Sequence, residues 1–214
     1  MSARFEQPLI AVDVVAITYS AVLGLLVALP QRAAAPAAGE RALPGVLLGS
    51  AERLDGAAAR ALSDKAHVSA AQTTHLTQIG AFDRPGRETR DHAISIAFLA
   101  VIRPADGADL IPAADIGELP FFHKDIVDRA LGQARHLLWT DIDFTRALLG
   151  PSFGTNTAAD ITEALTGTRP RASTLNRDLN ANPALVKLDG VWPNDNGRPA
   201  SAWAWATTGG EITR

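Results

Sequence analysis

The residues best equipped for chemistry in this chain sit close together. Glu52, Arg60, Asp64 and Lys65 all fall within LPGVLLGSAERLDGAAARALSDKAHV, Leu43 to Val68, which reads as a strand end, a Pro-Gly loop and an amphipathic helix. Leu54, Ala58, Ala61 and Leu62 recur at i, i+4, i+7 and i+8 and share one helical face. Glu52 and Asp64 could together hold a magnesium ion weakly beside a diphosphate, against the opposing charge of Lys65. Alternatively, Glu52 grips Arg60 and ties loop to helix, while Lys65 meets a ligand phosphate directly as a point charge. A second set is Arg84, Arg87 and Arg90 in the polar loop DRPGRETRD. Guanidinium forks match phosphate oxygens, and a loop can present them to a pyrophosphate, although Asp83, Glu88 and Asp91 offset the charge. The 5 histidines (His67, His75, His92, His123, His136) lack metal-ligand spacing, and no nucleophile elbow accompanies a serine.

A third set lies near the C-terminus: Arg169, Arg171, Ser173, Thr174, Asn176, Arg177, Lys187 and Arg198. The first six crowd the start of a short helix. The opening turns of a recognition helix meet base edges in a major groove while flanking cations hold phosphates. Arg177 suits guanine, Asn176 suits adenine, and Arg198 suits phosphate or the minor groove. Asp178, Asp189 and Asp195 dilute the charge, so the alternative is an ordinary solvated face.

The elements that must position these groups follow from hydropathy patterning. With 47% hydrophobic residues in 214, the chain can bury a core, and global disorder is excluded. Absence of cysteine excludes disulfides, thiol catalysis and cysteine-based metal sites, and fits a reducing cytoplasm. A net charge of −3 gives no whole-protein attraction to nucleic acid or anionic membranes, so nucleic-acid binding needs a local patch. The N-terminus lacks the layout of a signal peptide. Leu9 to Pro30 is apolar, but Asp13 interrupts it, Gly24 breaks it, and β-branched residues crowd its first half. It therefore reads as a strand hairpin rather than a membrane helix. Further strands are expected over His75 to Phe82 and His92 to Ile102, and a helix from about Phe122 to Leu138. After Trp139 come short helices over Ile142 to Leu149, about Thr157 to Thr166 with Gly167 as its left-handed cap, and Ala172 to Asn180. Two strand-like runs, Leu185 to Leu188 and Ala202 to Ala206, flank the turn-rich DGVWPNDNGRP. Helix, turn, helix and hairpin describe a winged helix-turn-helix. Trp203 and Trp205 alternate along one strand and read as core of the small domain.

Gly45, Glu52, Arg60, Leu62 and Val68 resemble, in spacing, a Nudix box, the loop-helix signature of enzymes that cut nucleoside diphosphates linked to another group. The resemblance implies a glutamate straight after the arginine and two more three and four residues on. A helix turns once in about 3.6 residues, which brings those carboxylates onto one face to hold magnesium against a pyrophosphate. Here the three positions are Ala61, Asp64 and Lys65, and the closing glycine is His67. The expectation is a Nudix-shaped domain that has lost hydrolysis.

Together the two halves resemble the Nudix-related transcriptional regulators of bacteria, the NrtR-type repressors. ALPG and the box carry the resemblance, as do FDRPGRETRDHAISIAFLAVI at Phe82 to Ile102, Phe153 ahead of a helix ending in Gly167, and TLNRDL at Thr174 to Leu179. The last stands at the place of the family's Asn-Phe-Arg-Arg recognition segment. Thr174 and Leu175 replace its Asn-Phe, and Asn176 and Asp178 replace basic residues.

What the resemblance implies is an α+β chain: a Nudix-like α/β/α sandwich with a mixed sheet over 1–138, then a small winged helix-turn-helix domain over 139–214. The first would sense a nucleotide metabolite such as ADP-ribose through Arg41, Glu52, Arg60, Asp64, Lys65, Arg84, Arg87 and Arg90. The second would bind double-stranded operator DNA through Arg169, Arg171, Ser173, Thr174, Asn176, Arg177 and Arg198. A cytoplasmic homodimer joined through the Nudix-like part is expected, acting as a repressor in NAD or sugar metabolism, with no membrane partner, no catalytic residues and no cofactor beyond weakly held magnesium. The rivals are a working Nudix hydrolase whose carboxylates come from outside the box, and a degenerate partner subunit with no ligand.

Overall fold

The computed structural model describes residues 7–86, 92–103, 108–192 and 200–206, with no side chains given over 189–200. In chain order its elements are β1 (Leu9–Ser20), β2 (Gly24–Ala28), β3 (Gly45–Leu47), α1 (Leu54–Ala66), β4 (Thr73–Phe82), β5 (Ala93–Ile102) and β6 (Leu110–Pro112). Then follow α2 (His123–Leu137), α3 (Ile142–Leu149), β7 (Ser152–Gly154), α4 (Thr155–Thr166), α5 (Ala172–Ala181), β8 (Leu185–Trp192) and β9 (Ala200–Trp205). Among the described residues no helix is long and apolar enough to cross a membrane. The apolar run after Leu9 is the expected β1–β2 hairpin.

Internal contacts divide the chain into two compact units: Met1–Thr18 with Leu26–Gln133, and Tyr19–Leu25 with Ala134–Arg214. The first unit is built on a mixed sheet of order β4-β5-β1-β2-β6, with β3 paired to β1. β1 and β5 run parallel, with Val12 opposite Ile96 and Val14 opposite Phe98. β3 and β4 run antiparallel to β1 and β5 respectively.

β1 is buried on both faces, which is why it lacks apolar–polar alternation. Val12, Val14 and Ala16 join Ala57, Ala58, Ala61, Leu62 and Ala66 of α1 in one core cluster. These small alanines bring the helix axis close to the sheet. The odd-numbered Asp13, Val15 and Ile17 point the other way and are also buried. Asp13 lies there 3.6 Å from His123, the first residue of α2. Layers on both sides of a mixed sheet give the expected sandwich.

The second unit holds α3, α4, α5 and a three-stranded sheet of order β7-β9-β8. Asp141 caps α3, its side chain accepting from the Phe144 backbone N–H at 2.9 Å. Gly167 ends α4 in the left-handed region, φ 74°, and donates its N–H to the Glu163 carbonyl at 2.8 Å. α5 follows after a short turn, and β8 and β9 form an antiparallel hairpin. Its core holds Trp203 and Trp205, as expected, with Phe144, Phe153, Leu175 and Leu179. The Trp203 indole donates to Thr155 Oγ1 at 2.9 Å, and that of Trp205 to the Gly150 carbonyl at 2.8 Å.

Candidate functional site

The first unit carries a cleft of about 460 Å³, lined by Leu9, Ala11 and Asp13 of β1, Arg32, Leu43, the β3 residues Gly45, Val46 and Leu47, Arg60 and Lys65 of α1, Ala93, Phe121 and His123. The box helix thus contributes one cation that is held and one that is not paired among the described residues.

Arg60 is held. Its Nε donates to Glu52 Oε1 at 2.9 Å and its Nη2 to Glu52 Oε2 at 2.7 Å, a two-pronged pair, and Nη2 also reaches the Leu47 carbonyl at 2.9 Å. Glu52 Oε2 accepts from the Gly49 N–H at 2.8 Å as well. Arg60 first, and the Gly49 amide second, hold the Glu52 carboxyl down to about 2. Glu52 raises Arg60 in return. The pair closes the loop onto α1, and both Glu52 oxygens are occupied.

Lys65 lies in the last turn of α1, exposed, where the helix dipole favours a cation, and it lines the cleft. Asp64 beside it is exposed and does not line the cleft, and Ala61 is fully buried in the core.

Asp13 and His123, which also line the cleft, belong to a buried polar group assembled from distant segments. Asp13 is 4% exposed, and Ser95 Oγ donates to its Oδ2 at 2.5 Å. The Leu43 backbone N–H donates to His123 Nδ1 at 3.0 Å, which makes Nδ1 an acceptor and leaves the ring proton on Nε2, facing Asp13 Oδ1. Gly45 passes directly over this group: a methyl there would collide with Asp13 Oδ1 and come within 3.3 Å of its Cγ.

Phe121 and Phe122 both have left-handed backbones, φ 59° and 53°, a conformation that costs a bulky residue about 1 to 3 kcal/mol. The bend brings the Phe121 ring to the cleft, with the Arg32 guanidinium 4.7 Å from its centroid. Arg32 Nε donates to the Pro36 carbonyl at 2.9 Å.

Of the residues expected to bind a ligand, the cleft brings together Arg60 and Lys65. Glu52 acts on it through Arg60. Arg41 faces elsewhere, donating to the Leu29 carbonyl at 2.8 Å and to Asp109 at 3.3 Å. Arg84 pairs with Asp125 at 2.9 Å and lies 4.0 Å over the Phe122 ring. Arg87 and Arg90 lie outside the described residues. Asp13, Arg32, Phe121 and His123 were not foreseen as cleft residues. The signal for Asp13 was present as a charge inside an apolar strand, although it argued only against a membrane helix.

In the second unit, α5 buries Leu175 and Leu179 and exposes Arg171, Ser173, Thr174 and Arg177. Arg177 donates to its neighbour Asp178 at 3.0 and 3.1 Å. Asn176 is half-buried. Its Nδ2 donates to the Ala172 carbonyl at 2.9 Å, and its Oδ1 lies 3.4 Å from the Thr155 hydroxyl. Arg169 pairs with Asp160 at 2.5 Å and Glu163 at 2.7 Å on α4, which raise its guanidinium further and tie the turn to that helix. Arg198 lies outside the described residues.

A mixed sheet with a loop-helix motif closing over an open cleft defines the class of this molecule as a Nudix fold. No protein-family model matches the chain, and no curated protein sequence does. Solved structures do match. Shewanella oneidensis NrtR complexed with a 27mer DNA is similar over 92% of this chain and 93% of its own, at TM-score 0.75 and 21% identity. A MutT/nudix family protein from Enterococcus faecalis is similar over 96% and 89%, at TM-score 0.73 and 18% identity. The NUDIX domain of Shewanella oneidensis NrtR complexed with ADP ribose is similar over 60% and 90%, at TM-score 0.51 and 26% identity. The fold is therefore shared, over nearly the whole chain, with a Nudix-related regulator.

A Nudix fold implies a divalent metal held by carboxylates of the box helix. The residues present do not fit one. Ala61 supplies a methyl and Lys65 a cation, Asp64 is a lone carboxylate that is exposed and does not line the cleft, and both Glu52 oxygens are committed to Arg60. Among the described residues, no group of three or more His, Cys, Asp or Glu side chains could hold a metal ion.

Proposed function

We propose that this chain is a DNA-binding transcriptional regulator of the repressor type, in which residues 1–138 sense a nucleotide metabolite and 139–214 form a winged helix-turn-helix. The observation that carries the reading is α5: a short helix anchored by Leu175 and Leu179, following a glycine-capped helix, with Ser173, Thr174 and Arg177 turned to solvent. Those side chains donate and accept hydrogen bonds, as reading base edges requires. The following β8–β9 hairpin then supplies the wing. The likeness to a DNA complex of NrtR supports this at the level of fold.

The sensing half rests on the cleft. Lys65 offers charge to phosphates, and the Phe121 ring offers a face to a base. The likeness to a NUDIX domain bound to ADP ribose supports a ligand of that class. The working form is a cytoplasmic homodimer, because one reading helix covers only a half-site and two span a palindrome. Ligand binding shifts the dimer toward the DNA-free form by its differential affinity for the two states.

A gel shift with the DNA upstream of the protein's own gene tests the reading, with specific retention at low micromolar protein expected. Lack of such retention there would sink it. The hydrolase reading keeps one observation in its favour, the surviving carboxylate Asp64. It is tested by incubating the protein with ADP-ribose and magnesium and looking for AMP by chromatography, and the regulator reading expects none.

A further inference from the structure

Building on the reading of this cleft as a nucleotide site, we infer that it binds a diphosphate without a metal ion, Lys65 standing in for the metal. Among the described residues, the charges lining the cleft are Asp13, Arg32, Arg60 and Lys65. Asp13 is buried and turned to Ser95 and His123. Arg60 is neutralised by Glu52 through two hydrogen bonds and is fixed to the Leu47 carbonyl by a third. Arg32 has Nε on the Pro36 carbonyl and its face against Phe121.

Lys65 differs from these. It is exposed and has no ion-pair partner among the described residues. Its ammonium, on a flexible four-carbon stem, keeps its hydrogen-bonding capacity for a guest. A divalent cation beside it would meet repulsion from a like charge and would find no ring of carboxylates among the described residues to hold it. A diphosphate diester carries two negative charges, and a lysine ammonium can meet its oxygens directly through charge-assisted hydrogen bonds. The cleft thus takes a nucleoside diphosphate as an anion to be paired, and magnesium adds nothing to its binding.

The test is calorimetric titration of the full chain with ADP-ribose, in EDTA and in magnesium, for the wild type, Lys65→Gln and Lys65→Arg. Lys65 is exposed, so both variants should fold, and their ligand-free melting temperatures check this. The wild-type Kd should agree within about twofold between the two buffers. Lys65→Gln should weaken binding about tenfold in EDTA, the loss of one charge-assisted hydrogen bond, and Lys65→Arg should restore most of it. A wild-type affinity that collapses about tenfold in EDTA overturns metal-free binding, and a Lys65→Gln variant that binds like wild type overturns the role of Lys65; either result sinks the inference while leaving the nucleotide-site reading intact. Absence of wild-type binding in both buffers overturns that reading and the inference together.

Discussion

Arg60 and Glu52 meet through two hydrogen bonds, 2.9 and 2.7 Å long, that join the second turn of a helix to the loop ahead of it. This corner brace is intact although the three helix positions after it hold a methyl (Ala61), one carboxylate (Asp64) and an ammonium (Lys65). The corner also has an acid-side signature. Glu52 is held down to about 2, whereas a free glutamate titrates near 4.3. A depressed folded value means that the stabilisation is fully present above the unfolded value and is lost as pH falls through the folded one. The window is therefore from the mid-4s down to about 2. Urea midpoints measured at closely spaced pH values should fall through this window in the wild type and fall less steeply in Glu52→Gln. Parallel profiles would show that the pair contributes nothing.

Gly45→Ala should destabilise the first unit by about 1 to 3 kcal/mol, the usual cost of overpacking a filled site. The added methyl collides with Asp13 Oδ1, and Asp13 cannot easily yield because Ser95 holds its other oxygen at 2.5 Å. Denaturant melts of the two proteins measure the difference. An unchanged midpoint would mean that the buried group relaxes freely.

Thr155→Val should cost the second unit about 1 to 3 kcal/mol, because it leaves a buried donor unpaired. The Thr155 hydroxyl accepts from the Trp203 indole at 2.9 Å and lies 3.2 Å from the Ser201 carbonyl. Trp203 is 1% exposed, so water offers no ready replacement. Thermal melts followed by tryptophan fluorescence report the loss.

Arg177→Ala should weaken operator binding about tenfold or more, the usual scale for a cation on the reading helix, with no change in melting temperature. Asp178→Asn should act in the opposite sense. Asp178 accepts from Arg177 at 3.0 Å, and its removal frees the guanidinium and takes a negative charge away from the DNA face. Anisotropy titrations with labelled operator DNA at fixed salt would show both effects, and equal affinities for all three proteins would remove α5 from the interface.

What the sequence determined by itself is the local structure. α1 runs over Leu54 to Ala66, as its apolar spacing requires, and α3 over Ile142 to Leu149. The Glu52–Arg60 contact was legible because both partners lie in one short motif whose loop and helix fix their approach. Gly167 was legible as a cap because a left-handed residue at a helix end strongly favours glycine. The three-residue strands β3, β6 and β7 escaped because so few residues carry no period.

Tertiary structure alone decided the wall of the cleft. Asp13, Ser95 and His123 come from β1, β5 and the start of α2, and only the parallel pairing of β1 with β5 and the burial of both strand faces bring them together. Phe121 reaches the cleft through a left-handed backbone that its side chain disfavours, so no propensity pointed to it. Local spacing sets which groups share a helix face, but which distant groups oppose them depends on sheet order and register, which no short window of sequence contains.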